Sequence, residues 1–285
     1  MANGIFKRHI NRSIGGNILV FLFLLIFGIF FVFPIFYAVI TAFKPLNEIF
    51  IFPPRLFVSR PTLDNFIELD LMTSSFWVPL SRYIFNSLFI SAVGTAGHLL
   101  LSSMAAYPLA KHPFPGNGWI KQLIVISLLF TPAVTYLPQY VVLAQLHMIN
   151  TYWALILPAM ASSLGLYLMM NFMTTIPTEM IEAARIDGAG EFRIYARIIM
   201  PNVKPAWLTL IIFSFQTLWN NNGGVMVYQE ELKVLPSIVS SITAGGIIRS
   251  GVSSAAALLM MIPPILIFTL SQKNVIQTMS TSGLK

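Results

Sequence analysis

The chain has 285 residues, a net charge of +7 and no cysteine, so disulfides and thiolate metal sites are excluded. Only 9% of its residues are charged and 56% are hydrophobic, against roughly 25% charged in an ordinary soluble domain. That balance excludes a soluble globular domain and dictates an integral membrane protein, whose basic excess suits anionic lipid headgroups rather than nucleic acid.

A membrane span takes about 20 predominantly apolar residues, and six segments supply them: 17–43, 83–110, 120–142, 152–176, 206–226 and 252–271. The first belongs to an uncharged stretch over 13–43. It is too long for a cleaved signal core, and no small-x-small cleavage site follows it. A loop over 44–82 comes next, with Pro45, Pro53, Pro54, Pro61 and Pro79; within it Thr62-Leu63-Asp64-Asn65-Phe66 reads as a capped helix start. The second span carries Ser87, Ser91, Thr95, His98 and Ser102 at helical spacing. Such a stripe packs helices more often than it lines a pathway, and a proton relay at His98 ranks behind both.

The third span holds Thr131, Pro132, Thr135, Tyr136, Pro138 and Gln139. Two prolines so close kink or break a helix and free carbonyls, which leaves a simple kink or a cavity wall as readings. Asn150 and Thr151 supply the turn into the fourth span. The fifth ends in Gln216, Thr217, Trp219, Asn220, Asn221 and Asn222. Trp219 is either part of the interfacial aromatic belt or, beside amides, a platform for a sugar ring. Met260, Met261, Pro263 and Pro264 in the last span read as packing and kink.

Basic residues set the orientation. With the N-terminus in the cytoplasm, Lys7, Arg8, Arg12, Lys111, Lys121, Arg185, Arg193, Arg197, Lys204, Lys273 and Lys285 lie inside, 11 of the 17 Lys and Arg. Lys44, Arg55, Arg60, Arg82, Lys233 and Arg249 remain outside. The positive excess faces inward, which places both termini and the 177–204 loop in the cytoplasm.

That loop is charged where its neighbours are apolar. No Asp, Glu, Lys or Arg occurs in 122–178 or 205–229, yet Glu179, Glu182, Arg185, Asp187, Glu191, Arg193, Arg197 and Lys204 fall between them. Pro177 ends the preceding helix, and Thr178 is placed to cap the next. Glu179 and Glu182 suit the first turns of a helix, and Asp187-Gly188 signals a turn. A second helix is expected over about 190–199, with Pro201 and Pro205 bracketing the return to the membrane. The product is a helix–turn–helix on the inner surface, with Met180, Ala183 and Ala184 as a shallow patch of small residues. Physical reading alone leaves an interfacial anchor or a docking surface for another protein.

Glu182-Ala183-Ala184, Asp187-Gly188-Ala189 and Ile198-Ile199-Met200-Pro201 follow the order and spacing of the signature loop of ABC importer permeases, with Met200 in place of the usual Leu. Over nearly its whole length the chain resembles the carbohydrate branch of that family, whose archetype is the maltose-type permease. Pro61 to Phe66, Asn86-Ser87, Ala105-Ala106-Tyr107, Phe114-Pro115-Gly116, Pro138-Gln139-Tyr140, Asn150-Thr151-Tyr152 and Trp219-Asn220 extend the likeness. The chain departs from the pattern over 221–229, which lacks the usual Pro-containing run.

The resemblance implies an all-α, six-span type I importer permease in the bacterial cytoplasmic membrane. Glu182, Ala183, Ala184, Asp187, Gly188, Ala189, Ile198 and Pro201 would then couple the chain to an ABC ATPase dimer. A second related permease would complete a heterodimeric pore and supply most sugar contacts, and an extracellular solute-binding protein would deliver a sugar or oligosaccharide. ATP and Mg would sit on the ATPase. This chain would bind no cofactor, and its sequence has no Gly-x-x-x-x-Gly-Lys-Ser/Thr. Thr135, Tyr136, Gln139, Gln216, Trp219 and Asn220 are the candidate pathway residues. The tail over 278–285 is similar to that of Gram-positive members handling complex oligosaccharides, pectin-derived ones included.

Two other classes compete. A secondary carrier with a structural hairpin is disfavoured, because no Asp, Glu, Lys or Arg lies within the spans beyond Lys121 at the edge of the third; broken-helix carbonyls can nonetheless hold sodium. An intramembrane enzyme is weakest, since no metal-ligand cluster or Ser–His–acid set falls within the spans.

Overall fold

The computed structural model describes residues 14–53, 55–74 and 78–282, with side chains described between 15 and 272. Lys7, Arg8, Arg12, Lys285, the Lys273 side chain and the side chains of the 278–285 tail lie outside what is described. Among the described residues every regular element is helical: α1 (Ile14–Ala42), α2 (Leu46–Ile49), α3 (Asp64–Ser74), α4 (Leu80–Lys111), α5 (Asn117–Ser127), α6 (Pro132–Gln145), α7 (Trp153–Met160), α8 (Ser163–Thr174), α9 (Thr178–Ile186), α10 (Glu191–Ile194), α11 (Met200–Asn202), α12 (Lys204–Trp219), α13 (Leu235–Thr243) and α14 (Ser250–Ser282). Four helical stretches are long and apolar enough to cross a membrane, or up to six if two bent pairs each count as one.

The uncharged α1 packs on α14 and exposes almost every other side chain, as a lipid-facing helix does. At the centre lies α4, 32 residues long, packed against α7, α8 and α12; α12 passes the contact on to α14. Close approach explains one glycine here. A Cβ on Gly165 of α8 would stand 2.3 Å from Nε2 of His98 on α4, so the helices meet only because that position is bare.

Four of the expected spans differ in shape or extent. The third is two helices, α5 and α6, meeting at 109° rather than one run over 120–142. Pro132 causes this: it holds Thr131 extended (φ −78°, ψ 153°) and itself opens α6. Pro138 is carried inside α6. The fourth breaks at Ala161 and Ser162, between α7 and α8. The fifth stops at Trp219 instead of reaching 226. Beyond it the side-chain carbonyls of Asn221 and Asn222 accept from the N–H groups of Gly223 and Gly224 (2.9 and 3.1 Å), local turns that compete with helix. The sixth is longer than expected and runs to Ser282.

Within the 44–82 loop, α3 starts at Asp64, whose N–H donates to Thr62 Oγ1 at 3.1 Å. Asn65 donates to the carbonyls of Ala42 and Lys44, both at 2.8 Å, and so closes the C-terminal end of α1. The loop after α12 is pinned to the start of α4. The fully buried Asn86 donates to the carbonyls of Glu231 and Lys233 (2.9 and 2.8 Å) and accepts from the Tyr152 hydroxyl at 2.8 Å. Ser87 accepts from the N–H of Leu235, and the Tyr83 hydroxyl donates to Glu230.

Candidate functional site

The charged 178–202 segment is a helical hairpin at the far end of α4. Helix α9 is amphipathic over nine residues: Ile181 and Ala184 are buried, whereas Glu179, Glu182, Ala183 and Ile186 are exposed. Its C-terminus follows one local rule. The N–H of Ala189 donates to the Ala184 carbonyl (2.9 Å), that of Gly188 to Arg185 (3.0 Å), and Gly188 has φ 76°. This is a Schellman closure. It needs a residue tolerant of positive φ at Gly188 and small apolar residues at 184 and 189, which pack with the core. The spacing of Ala184, Gly188 and Ala189 is thereby a folding requirement of the hairpin.

Two expectations for the hairpin are corrected. Thr178 is the first helical residue rather than the cap; Pro177 occupies the cap position, and no side chain bonds there. Proline fixes the extended φ of a cap without contributing an acceptor oxygen. Nor do Met180, Ala183 and Ala184 form one outward patch, because Ala184 is turned into the core, on the face of Ile181. What α9 and the turn present instead is Glu182, Ala183 and the Ile186 side chain, 87% exposed, with Phe192, 74% exposed, across the turn. Neither Glu182 nor Asp187 has a side-chain partner among the described residues.

The second arm starts as α10, passes through a π-helical turn (Tyr195–Ile199) and ends as α11. It thus extends to Asn202 rather than stopping near 199. The Met200 N–H reaches back to the Tyr195 carbonyl. Pro201, exposed, lacks the N–H that would continue an α-helical ladder, and the widened turn sits just before it. Ile198 is half-buried against the core. At Val203, between α11 and α12, the chain bends by 79°.

Four side chains that sequence reading left unpaired meet at the hairpin's base. Glu191 accepts from the Tyr107 hydroxyl (2.7 Å) and from Arg185 Nε (2.9 Å), and His112 Nε2 lies 3.4 Å from it. The Tyr107 hydroxyl first, then the Arg185 guanidinium, hold the Glu191 carboxyl below its ordinary value against an opposing effect of burial. Nearby, Tyr195 and Ser103 share a 2.7 Å hydrogen bond, and Lys111 donates to the Thr174 and Ile176 carbonyls at the end of α8. Tyr107 and His112 lie more than 70 residues before Arg185 and Glu191, and only the docking of the hairpin on α4 brings the two pairs together.

The pathway candidates are not gathered in one place. Tyr136 accepts from the Val225 N–H at 3.3 Å and Gln139 reaches Met226 Sδ at 3.8 Å, so α6 touches the loop after α12. Thr135 is exposed and bonds weakly to its own helix. Gln216 is exposed and lines a crevice of about 230 Å³ with Phe215, Pro264 and Phe268. Asn220 is exposed and donates back to the Gln216 carbonyl. Trp219 corrects the expectation of an available ring. It is 1% exposed, stacked on Phe215 at 5.7 Å, and its Nε1 donates to the Met260 carbonyl at 2.8 Å. Pro264 cannot donate to that carbonyl four residues back, so Trp219 satisfies the acceptor that the proline leaves free.

The second-span stripe is buried throughout: Ser87, Ser91, Thr95, His98 and Ser102. His98 bridges Ser214 Oγ of α12 and the Ser162 carbonyl, both at 3.1 Å. It joins three helices, the packing role that ranked first.

No family model matches the chain. It is 28% identical over 262 residues to the arabinooligosaccharides transport system permease protein AraQ of Halalkalibacterium halodurans, covering 89% of this chain and 91% of that protein. The polygalacturonan/rhamnogalacturonan transport system permease protein YtcP of Bacillus subtilis is 28% identical over 285 residues (90% and 94%). The sn-glycerol-3-phosphate transport system permease protein UgpE of Brucella abortus is 33% identical over 204 residues (69% and 72%). In structure the chain is similar to a bacterial ABC transporter involved in the import of the acidic polysaccharide alginate, with a TM-score of 0.77 at 20% identity over 92% of this chain and 98% of that one. A second alginate ABC transporter structure, in complex with an alginate pentasaccharide-bound periplasmic protein, matches with a TM-score of 0.60 at 14% identity (90% and 94%). With four to six membrane-length apolar helices and 33% identity to UgpE over 204 residues, the chain belongs to the ABC transport-system permease family and is a membrane transport subunit.

Proposed function

We propose that the chain forms, with a second related permease, the transmembrane path of an ATP-driven importer of a sugar oligomer, and that its 178–202 hairpin docks a separate ABC ATPase. The observation that carries this reading is the hairpin itself. A folded, polar element closes with a positive-φ glycine and leaves Ile186, Phe192, Ala183 and Glu182 uncovered at one end of an apolar bundle. Exposed large apolar side chains on a charged hairpin are the profile of a docking surface rather than of a lipid anchor, whose apolar face would be continuous. The ATPase end is cytoplasmic in this reading, and so are both termini; the 44–82 loop and the loop after α12 face outward, where a solute-binding protein would deliver substrate. The relatives named for arabinooligosaccharides and for polygalacturonan support an oligosaccharide ligand. Tyr136, Gln139, Gln216 and Asn220, with Thr135, would offer polar groups along the path, while Trp219 serves packing.

Docking is tested in the assembled complex. Glu182→Lys reverses charge on the exposed face, and Gly188→Val forces a β-branched residue into positive φ. Each variant inserts but loses the ATPase on purification, or hydrolyses ATP without response to the binding protein. Normal stimulated hydrolysis in both would refute docking through the hairpin. Orientation is tested with single cysteines in this cysteine-free chain. Asn117→Cys and Gly190→Cys react with an impermeant thiol reagent only after the membrane is opened, while Ser59→Cys and Gln229→Cys react in intact cells. The glycans retained by the cognate binding protein identify the ligand.

A further inference from the structure

Glu191 lies in the docking hairpin yet outside the three motif blocks, and its carboxylate ties back to α4 through Tyr107. Its carboxylate binds Tyr107 on α4 at 2.7 Å and Arg185 on α9 at 2.9 Å, with His112 at 3.4 Å. Arg185 in turn lies 3.2 Å from His112 Nε2. One side chain therefore joins both arms of the hairpin to the last turn of the bundle's central helix. The Tyr107 ring is buried, so its hydroxyl depends on Glu191 as its partner. Beneath the polar tie, Ala106, Tyr107 and Leu109 of α4 share one apolar cluster with Ile181, Ala184, Ile194 and Ile199 of the hairpin. The opposite end of α4 is fixed to the 230–235 segment through Asn86, Ser87 and Tyr83. A 32-residue helix tied at both ends is a rigid connector of about 48 Å at 1.5 Å per residue.

We propose that Glu191 is a positioning residue that clamps the docking hairpin to α4, so that displacement of the hairpin by the ATPase is delivered through α4 to the opposite face. The proposal rests on the docking role argued above. It places the transmitting contact at Glu191–Tyr107–Arg185, a contact distinct from the surface that the ATPase would touch.

The test uses the complete complex of both permeases and ATPase in lipid nanodiscs, with a single Ser81→Cys reporter in the exposed first turn of α4. The probe is ATP with orthovanadate, and the readout is the rate of maleimide labelling with and without trapping. In the Ser81→Cys parent, trapping changes that rate. Glu191→Ala and Tyr107→Phe each shrink the change by roughly threefold to tenfold, while the ATPase still co-purifies and still hydrolyses ATP. Glu191→Gln, which keeps an acceptor for Tyr107, restores most of it. An undiminished change in Glu191→Ala, no change in the parent, or loss of the ATPase from Glu191→Ala would each overturn the clamp. Retention of a responsive ATPase by Glu182→Lys would instead remove the docking role beneath it, so the two failures are separable.

Discussion

At its first turns α4 is held by Asn86, a side chain with no exposure whose amide is shared between two backbone carbonyls and a tyrosine hydroxyl. At its last turns the same helix is held by Glu191, whose side chain is half exposed and whose partners are a hydroxyl, a guanidinium and an imidazole. Buried neutral amides bonded to backbone hold one geometry, because any shift leaves several groups unsatisfied at once. Half-exposed ionic contacts lose less on parting, since water and salt replace them. One end of α4 is thus built to stay closed, whereas the other tolerates small changes around a fixed apolar base.

The comparison breaks most visibly at Asn86. Asn86→Leu fills the space but strands the Lys233 carbonyl and leaves the Glu231 carbonyl and the Tyr152 hydroxyl with only the long contacts from Arg82 (3.4 and 3.3 Å), at a cost of about 3 kcal/mol if the three losses together stay near the lower end of the usual range. Thermal unfolding of the purified chain in detergent should drop by roughly 5–10 °C. A drop no greater than that of Glu191→Gln would erase the distinction between the two ends.

A smaller effect is expected where α12 meets α14. Trp219→Phe keeps the stack on Phe215 and removes only the N–H donated to the Met260 carbonyl, a loss of about 1–2 kcal/mol. Pro264→Ala gives that carbonyl a helical N–H of its own, so the tryptophan N–H becomes redundant. In a double-mutant cycle the Trp219→Phe cost should fall by about 1 kcal/mol in the Pro264→Ala background. Strict additivity would show that the bond is incidental.

How far the sequence reaches is visible in these same residues. The helical class, the apolar segments and the hairpin with its turn at Gly188 were legible, because hydropathy and turn chemistry act locally. Pro132 announced a break but not its 109° angle, which depends on what the second arm packs against. For Trp219 the neighbouring amides suggest an interfacial belt or a sugar platform, whereas its partner carbonyl lies on another helix, 41 residues away. The Asn86-Ser87 and Asn150-Thr151-Tyr152 pairs were seen as motif fragments, and only the fold reveals that Asn86 and Tyr152 bond to each other. Ala184 shares the inward face of α9 with Ile181, three residues earlier, a spacing that is lost when Met180, Ala183 and Ala184 are taken together as one small-residue patch. Glu191 stands in the charged run without distinction, since one carboxylate among several charges carries no mark of its partners.

The smallest expected effect concerns pH at the hairpin base. Donation from Tyr107, then from Arg185, lowers the Glu191 pKa from its ordinary value of 4.5. A carboxyl whose folded pKa is depressed adds stability that is fully present above the unfolded value and is lost as pH falls through the folded one. The stability difference between parent and Glu191→Gln should therefore be constant from neutral pH down to about 5 and shrink below it. His112 also touches this carboxylate, so both proteins are compared in a His112→Gln background, which leaves the Glu191 contacts to Tyr107 and Arg185 as the variable. Because the Glu191 side chain is 51% exposed, the difference is small and should shrink further at high salt. A difference that instead grows on acidification would mean that the carboxylate is destabilised in the folded hairpin, and the clamp would then be held by the apolar cluster alone.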